Sequence, residues 1–355
     1  MMRLGILGLP NVGKSSLFNL LTNQKVPVEN YPFTTIEPNI AVVPLEDERL
    51  ARIAHATKNE IRMPATFELV DVAGLIEGAS SGAGLGNQFL GHIRDVEGII
   101  HVVSAFDPIN RTEKTTTQVL EDLRSIEKEL VMADIDVVDK HRVHAKGHAR
   151  TSQDPKIIFL FETLDRLWRG MREGVSIHAL ALTAEEQEVV RPFSLLTMKK
   201  TMVVLNVQDT DSRGVEFWKK ELRISNIAVL CIQAEIELRD IEDETERALL
   251  RSSFSFDGTV DHFFLMVKHT FSLRTFFTYG KGITKGWLIR EGTTAKESSG
   301  LIHAQLVDAF VRARVYTLDI LEQFSEKEIT QRELFQIVDK NYIVQDGDIL
   351  WFVTT

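Results

Sequence analysis

Glycine, lysine and hydroxyl side chains suited to holding phosphate occur together in GLPNVGKSS, residues 8–16. Gly8, Gly13, Lys14 and Ser15 have the spacing G-x-x-x-x-G-K-[ST], in which backbone N–H groups surround an anion at the start of a helix. A lysine there meets the β- and γ-phosphates, and the hydroxyl binds Mg²⁺, which prefers oxygen ligands. The predicted phosphate-binding residues are Asn11, Val12, Gly13, Lys14, Ser15 and Ser16.

Two later segments carry the residue types of a nucleotide switch. In ENYPFTTIEPN, Thr35 is predicted to give Mg²⁺ a second protein oxygen when a γ-phosphate is bound, although a plain polar loop explains the same residues. In VDVAG, Asp71 ends a strand pattern and can hold a magnesium-bound water, and the Gly74 N–H can bind the γ-phosphate. The predicted catalytic residues are Lys14, Asp71 and Gly74, and the predicted metal ligands are Ser15 and Thr35.

Position 75 is a leucine, where many switch hydrolases carry a water-orienting glutamine. An apolar side chain offers no hydrogen bond to a nucleophilic water. Leu75 therefore indicates either hydrolysis by other means or a protein that binds nucleotide without hydrolysing it.

The segment NVQD is predicted to read the base through Asn206, Val207 and Asp209. Guanine readers use N-K-x-D, whose carboxylate accepts hydrogen bonds from N1–H and the exocyclic amine. Adenine has an acceptor at N1, so a carboxylate finds no matching donor there. Asp209 follows the guanine pattern and Val207 departs from it, which leaves ATP and GTP both open.

Short, nearly continuous apolar runs around these motifs indicate buried strands. They are LGILGL (4–9), ATFELVDV (65–72), GIIHVVSAF (98–106), TMVVLNV (201–207) and IAVLCI (227–232). In the first part of the chain such runs alternate with glycine-rich turns and amphipathic helices. This pattern predicts an α/β P-loop NTPase domain with a parallel-type sheet.

Between the third and fourth runs the pattern is helical. Apolar residues fall three or four apart over residues 116–145, and Asp154-Pro155 has the form of an N-cap followed by a proline in the first turn. Thr183 and Glu186 form a capping-box pattern for a third helix. We therefore expect an inserted α-helical hairpin, coiled-coil-like, within the α/β domain.

After residue 272 the sequence predicts a small β-rich domain. The expected β-like runs are WLIREGTTA, LIHAQL, FVRARVY and YIVQDGDILWFV.

The segment HRVHAKGHAR, residues 141–150, combines three histidines with basic side chains. A solvated hairpin tip is the simplest interpretation. A contact with phosphates of RNA is the alternative, and a metal site on His144 and His148 lacks an obvious further ligand.

The composition fits a soluble globular protein, with 44% hydrophobic and 26% charged residues in 355. A net charge of −10 argues against coating nucleic acid by bulk attraction. The single Cys231 excludes an internal disulfide, and no apolar run approaches the ~18 residues of a membrane helix. We expect a cytoplasmic protein without a membrane partner.

The segments GLPNVGKSSLFN, NYPFTTIEPN, VDVAGLIEGASSGAGLGNQFL, LLTMKKTMVVLNVQD and KNYIVQDGDIL occur in this order. Together they resemble the YchF-type Obg-like ATPases of the Obg group, as a divergent member, over nearly the whole chain. The resemblance implies a nucleotide-binding (Obg-type G) domain at 1–105 and 200–272, a helical hairpin domain at 106–199 and a TGS-like domain at 273–355.

The resemblance also implies an activity: slow, Mg²⁺-dependent hydrolysis of ATP, with GTP as the alternative, in a switch that associates with ribosomes or translation factors. Leu75 fits, because this family carries an apolar residue there. Asn11 matches the position at which related potassium-stimulated hydrolases hold a monovalent cation, so K⁺ is a second candidate ion. A turn asparagine bonded to its own backbone explains Asn11 equally well.

Two of the departures from the family bear on base choice and on catalysis. The family usually has glutamate at the position of Asp209, and it carries a histidine in the loop that here reads AFDPINRTEKTTTQ. With neither glutamine nor histidine present, a partner is expected to stimulate hydrolysis. The alternative is a nucleotide-dependent binding module with little or no hydrolysis.

Overall fold

The computed structural model describes residues 1–22, 39–72, 85–152, 154–254 and 258–354, and the side chains of all of these except 85–89. Three residues of the predicted site, Thr35, Gly74 and Leu75, lie outside the described residues. Within the described ranges, no helix is both long and apolar enough to cross a membrane.

The described residues form twelve strands and fourteen α-helices. The strands are β1 (Arg3–Leu7), β2 (Asn39–Leu45), β3 (Ile61–Met63), β4 (Ala65–Asp71), β5 (Gly98–Ser104), β6 (Lys200–Asn206), β7 (Ile227–Leu230), β8 (Leu273–Gly280), β9 (Ile283–Arg290), β10 (Phe310–Tyr316), β11 (Gln336–Val338) and β12 (Ile349–Thr354). The helices are α1 (Lys14–Thr22), α2 (Glu48–Thr57), α3 (Leu85–Asp95), α4 (Thr116–Thr151), α5 (Pro155–Arg172), α6 (Ala184–Val190), α7 (Val215–Leu222), α8 (Ile232–Arg239), α9 (Glu244–Ser253), α10 (Val260–Thr270), α11 (Ala295–Ile302), α12 (Leu306–Ala309), α13 (Leu318–Gln323) and α14 (Glu326–Gln331).

The first sheet has the strand order β2-β4-β1-β5-β6-β7. β5 runs parallel to both of its neighbours, with Ile100 opposite Ile6 of β1 and Met202 of β6. Every residue of β5 is buried, as expected of a central parallel strand covered on both faces. The predicted α/β fold with a parallel-type sheet is confirmed.

The long helices α4 and α5 form the predicted hairpin. Asp154 accepts a hydrogen bond from Lys156 N at 2.9 Å, and Pro155 opens α5, so the predicted N-cap is formed. The helix before it continues to Thr151, beyond the predicted end near Ala145. Apolar side chains of both helices share one buried cluster, which includes Val138, Leu164, Leu167 and Met171.

The third helix of this region, α6, begins at the predicted capping box. The Thr183 hydroxyl accepts from Glu186 N at 3.2 Å, and the Glu186 carboxylate accepts from Thr183 N at 2.8 Å. Arg166 of α5 donates two further bonds of 2.6 Å to the same carboxylate. This bonding, led by Arg166, lowers the pKa of Glu186 below its usual value.

The second sheet has the order β11-β10-β12-β8-β9-β3 and includes the predicted C-terminal strands. One expectation was wrong: LIHAQL is not a strand, because Ile302 ends α11 and Leu306 begins α12. A capping box between Thr294 and Glu297 starts α11. That T-x-x-E pattern outweighs the apolar run that suggested a strand.

Contacts group the chain into two compact units. The first contains Met1, residues 42–68 and residues 261–355, and the second contains residues 2–41 and 69–260. Within the first unit, Arg49 of α2 donates to Asp346 at 2.9 Å, and β3 runs parallel to β9. The division into three domains made from the sequence stays a prediction.

Candidate nucleotide-binding site

The predicted phosphate loop connects β1 to α1. Two of its glycines have no room for a side chain. A Cβ on Gly8 would lie 2.3 Å from the carbonyl oxygen of Val102, and one on Gly13 would lie 2.7 Å from Asn206 Nδ2. Gly13 also has a φ of +104°, a conformation that L side chains rarely adopt. The glycine spacing therefore serves both the turn itself and the close approach of neighbouring strands.

Lys14 lies at the start of α1 and is 8% exposed. Its Nζ donates to the carbonyl oxygens of Gly8 at 3.1 Å and Leu9 at 2.7 Å, so the ammonium lies over the loop that precedes it. Burial lowers the pKa of Lys14 to about 8, and the charge of Asp71 opposes this shift. A cation held this way is positioned to meet an anion bound in the loop.

Ser15 and Asp71 form the other polar pair. Ser15 Oγ donates to Asp71 Oδ2 at 3.4 Å, across 56 residues of sequence. Burial raises the pKa of Asp71, while Lys14 and Ser15 act in the opposite direction. A hydroxyl and a carboxylate side by side are hard oxygen donors of the kind that Mg²⁺ takes from proteins, with phosphate oxygens and water completing its shell. The side chains present therefore fit Mg²⁺.

The described residues contain no group of three or more His, Cys, Asp or Glu side chains that could hold a metal ion by themselves. This includes the basic segment of α4, where the rings of His144 and His148 lie 4.6 Å apart. The prediction that Ser15 is a metal ligand stays a prediction.

The remaining loop residues differ in exposure. Asn11 is exposed and has a left-handed φ of 62°, whereas Val12 is buried and its carbonyl faces Asn206. Ser16 is half-buried within the first turn of α1. The predicted contacts of all three with phosphate or a cation stay predictions.

Asn206 ends β6, and its side chain contacts two backbone segments. Nδ2 donates to Val12 O at 3.0 Å, and Oδ1 accepts from Ile232 N at 3.3 Å. The sequence pattern suggested a base reader and missed this bridging role. Gly13 was a sequence signal for this contact, because a residue without a side chain lets an amide from another strand approach the loop.

The other two predicted base-reading residues lie in contrasting surroundings. Val207 is 1% exposed and packs in an apolar cluster with Leu205, Trp218 and Val229. Asp209 is exposed. Burial, with a contribution from the nearby charge of Asp209, raises the pKa of Cys231 to about 11. Asp209 thus lies near Cys231, which connects β7 to α8.

The loop after β5 is short and contains no histidine. Asp107 Oδ1 accepts from the backbone N–H groups of Ile109 and Asn110, both at 2.8 Å, and Lys114 N donates to Ala105 O at 2.7 Å. These bonds close the loop on itself. The nearest upstream histidine, His101, is buried within β5, and burial lowers its pKa to about 4. His101 is therefore a neutral imidazole packed inside the sheet.

Two family models match this chain. The model described as a 50S ribosome-binding GTPase matches residues 3–138. The model described as a YchF-GTPase C-terminal protein of unknown function matches residues 273–354.

Curated relatives match along the full length. A protein named ribosome-binding ATPase YchF from Bacillus subtilis is 33% identical over 358 residues, which covers 98% of each chain. A protein of the same name from Escherichia coli O157:H7 is 33% identical over 360 residues, again with 98% of each chain covered. The solved structure of the Schizosaccharomyces pombe YchF GTPase is 26% identical, has a TM-score of 0.82 and covers 99% of this chain and 97% of its own. The chain belongs to the YchF family of P-loop nucleotide-binding proteins.

Proposed function

We propose that this protein is a Mg²⁺-dependent nucleotide hydrolase that prefers ATP to GTP. The observation that carries the proposal is the grouping of Lys14, Ser15 and Asp71 beside a glycine loop at the start of α1. Full-length relatives named ATPases favour hydrolysis over a binding module that does not hydrolyse.

Each residue has a distinct role in this proposal. Lys14 stabilises negative charge on the phosphates, and Ser15 and Thr35 hold Mg²⁺. Asp71 would hold a water of the Mg²⁺ shell, and the backbone N–H of Gly74 would bind the γ-phosphate. When bound, Mg²⁺ would supply neutralisation of phosphate charge.

Asn11 is proposed to help hold a K⁺ ion near the phosphates. Its left-handed backbone and exposed side chain support this role, because both make its amide oxygen accessible at the loop. Turnover in K⁺ should exceed turnover in Na⁺ at equal ionic strength, and Asn11→Ala should remove the difference. Equal rates in both salts would contradict the K⁺ site.

The isolated protein is proposed to be slow. Leu75 offers no polar group for water, and the closed loop at residues 105–114 carries no histidine. A group supplied by a partner contributes on the order of a thousandfold or more in related systems. The ribosome is the proposed partner, with translation factors as the other class, and a cytoplasmic location follows from that association.

Choice of base is proposed to depend on Asp209 and the backbone around it. ATP is favoured by the names of the curated relatives. Competition between ATP and GTP should be measured for the wild type and for Asp209→Glu. If Asp209 contributes to guanine recognition, the substitution shifts selectivity toward ATP, and an unchanged ratio means that backbone and shape read the base.

The exposed basic end of α4 is proposed to contact ribosomal RNA. Lys146 and Arg150 are exposed there. Arg142, by contrast, is bonded to Asp139 and Asp165 and lies over the Trp168 ring at 4.0 Å, so it stabilises the hairpin. Lys146→Gln with Arg150→Gln should weaken ribosome cosedimentation and flatten its salt dependence. Unchanged cosedimentation of these variants would contradict the proposed contact with ribosomal RNA.

The decisive experiment compares release of phosphate from ATP and GTP with and without ribosomes. We expect slow ATP turnover alone, a large stimulation by ribosomes, and loss of both in Lys14→Ala. Fast turnover indifferent to ribosomes would contradict the proposed dependence on a partner. Bound nucleotide with no phosphate release under either condition would contradict the hydrolase itself.

A further inference from the structure

Arg213 lies between β6 and α7 and joins two loops at one edge of the first sheet. β5 and β6 run parallel, with Ser104 opposite Asn206, so the loops that follow them leave the sheet at the same edge. Ligands of open α/β sheets bind at this carboxyl edge. Arg213 Nη1 donates to the Lys114 carbonyl oxygen at 3.2 Å, which ties the segment after β6 to the loop at residues 105–114.

The same guanidinium bonds to two carboxylates, one on each loop. Nε and Nη2 donate to the two oxygens of Asp211 at 2.8 and 2.9 Å, and Glu113 Oε2 lies 3.1 Å from Nη2. A two-pronged pair of this kind fixes orientation as well as distance. Asp211 is 1% exposed, so its buried charge depends on Arg213. The guanidinium also lies 4.7 Å from the centre of the buried Trp218 ring.

Asp211 closes the turn that carries Asp209. Its backbone N–H donates to Gln208 O at 3.1 Å, which is the bond across a four-residue turn, and its carboxylate accepts from Arg213 N at 2.9 Å. At the other end of the turn, Val207 N donates at 2.9 Å to the carbonyl of the last residue of β7. Asp209 is therefore an exposed carboxylate between two fixed ends.

The phosphate loop is joined to the same strand. Asn206, the last residue of β6, donates from its side chain to Val12 O at 3.0 Å, and its backbone carbonyl accepts from Ala105 N at 2.9 Å. Asn206 thus holds the start of the segment after β6 against the phosphate loop, and Arg213 holds the end of that segment against the loop at residues 105–114. A nucleotide with its phosphates in the loop would meet the turn of Asp209 at a fixed place.

We propose that Arg213 is a positioning residue for recognition of the base. By holding Asp211 against the loop at residues 105–114, it keeps the Asp209 carboxylate where it discriminates between the N1 acceptor of adenine and the N1–H donor of guanine. Arg213 acts through Asp209 and not through the phosphates. The inference rests on the proposed nucleotide site, but it concerns binding alone and is independent of hydrolysis.

The test is competition of ATP, GTP and inorganic tripolyphosphate, each with Mg²⁺, against a fluorescent nucleotide bound to the full-length protein. Arg213→Gln should reduce a preference for either base by up to about tenfold, as expected for a lost hydrogen bond to a charged group. Affinity for tripolyphosphate, which has no base, should be unchanged. Arg213→Lys keeps the charge but not the two-pronged geometry, so its preference should lie between those of Arg213→Gln and the wild type.

Arg166→Gln is the matched control. Arg166 also bonds to both oxygens of one carboxylate, Glu186, and to a backbone carbonyl, that of Leu180, but it belongs to the helical hairpin. Both glutamine variants should unfold at a lower temperature than the wild type, and only Arg213→Gln should change the ratio of ATP to GTP affinity. Glu113→Gln removes an exposed partner without disturbing the buried pair, so it should shift the ratio in the same direction by a smaller amount.

The route through Asp209 is tested by combining variants. In Asp209→Ala, Arg213→Gln should change the ratio no further, because no carboxylate is left to position. An undiminished further change would overturn the proposal. So would a wild type without preference between the bases, an unchanged ratio in both Arg213→Gln and Glu113→Gln, or an equal loss of affinity for ATP, GTP and tripolyphosphate in Arg213→Gln.

Failure of this proposal is distinguishable from failure of the proposed function. Ribosome-stimulated hydrolysis together with an unchanged ratio in Arg213→Gln would leave the hydrolase in place and remove the role of Arg213. A base preference that depends on Arg213, in a protein that releases no phosphate, would have the opposite meaning.

Discussion

Asn206 joins the phosphate loop to the chain after β7: its Nδ2 lies 3.0 Å from Val12 O, and its Oδ1 accepts from Ile232 N. The residue is 8% exposed, so both bonds form away from bulk water. One side chain therefore fixes the distance between the segment that is predicted to hold phosphates and the segment near Asp209.

Asn206→Ala removes both bonds and leaves a buried carbonyl and a buried N–H unpaired. We expect the free energy of unfolding to fall by about 2–6 kcal/mol, since each of the two unpaired buried groups costs about 1–3 kcal/mol. ATP and GTP affinity should fall together by at least about tenfold, because the loop and not the base contact is disturbed. Calorimetric titration with each nucleotide and urea unfolding check this, with Gln208→Ala as the neighbouring control. A loss confined to one nucleotide would show that Asn206 acts mainly on the base.

Gly13→Ala should abolish tight nucleotide binding. Its Cβ would contact the Asn206 amide, and its φ of +104° costs about 1–3 kcal/mol for an L side chain. Gly91→Ala in α3 is the control, because a Cβ there meets nothing within 4 Å, and alanine in a helix stabilises by about 0.5–1 kcal/mol. Binding of a fluorescent nucleotide and thermal unfolding should be measured for both variants, and only Gly13→Ala should lose nucleotide affinity. Wild-type affinity in Gly13→Ala would contradict the loop geometry.

Nucleotide affinity should depend on pH through Lys14. Burial lowers the pKa of Lys14 to about 8 in the free protein. Bound phosphate favours the ammonium form, so the pKa of Lys14 rises when nucleotide binds. Affinity is therefore greatest below pH 8 and falls as pH rises through 8, by up to about tenfold per unit. Calorimetric titrations of nucleotide into the protein between pH 7 and 9.5, in buffers of different ionisation enthalpy, should show that the complex takes up a proton on binding above pH 8.

Lys14→Arg is the matched control for this pH dependence. A guanidinium stays charged throughout that range, so the variant's weaker affinity should be independent of pH. A flat profile in the wild type, or a fall of equal size in Lys14→Arg, would rule out Lys14 as the titrating group.

The hairpin should lose stability in acid through Glu186. The pKa of this carboxyl is lowered in the folded state, chiefly by Arg166 and then by the Thr183 backbone. A lowered carboxyl pKa stabilises above the unfolded value, about 4.3, and the stabilisation disappears as pH falls through the folded value. Glu186→Gln should therefore be less stable than the wild type at pH 7, with the difference shrinking toward pH 3. A difference that is constant over this range would mean that packing, and not charge, is responsible.

The sequence predicted the elements whose signals are local. Asp154-Pro155 and the pair Thr183 and Glu186 started helices as expected, because an N-cap needs only neighbouring residues. The apolar run LIHAQL predicted a strand, but the capping box of Thr294 and Glu297 starts α11, and this helix extends into the run as far as Ile302. Local pattern decides where a helix begins, but it does not decide which face of a short apolar run is buried.

In the candidate site, too, local sequence patterns predicted some features and long-range contacts were missed. Lys14 and Ser15 were predicted from spacing alone, and Asp71 lies beside Ser15 as a strand end should. Gly13 indicated that another segment could approach the loop, but the identity of that segment was missed, because the bond from Asn206 to Val12 joins residues 194 positions apart in the chain. Such long-range bonds depend on the order of strands in the sheet, which the pattern of apolar runs does not specify.

The pairing of β3 with β9 has a consequence for how the chain is made. Ile61 lies opposite Ile283, so β3 finds its partner only after about 220 further residues have been synthesised. At 5–20 residues per second, this interval is roughly 10–45 s. During that time β3, which includes Ile61 and Met63, has no partner strand. β9 is therefore needed to pair β3, and a product that terminates before β9 leaves β3 unpaired for proteases and chaperones to recognise.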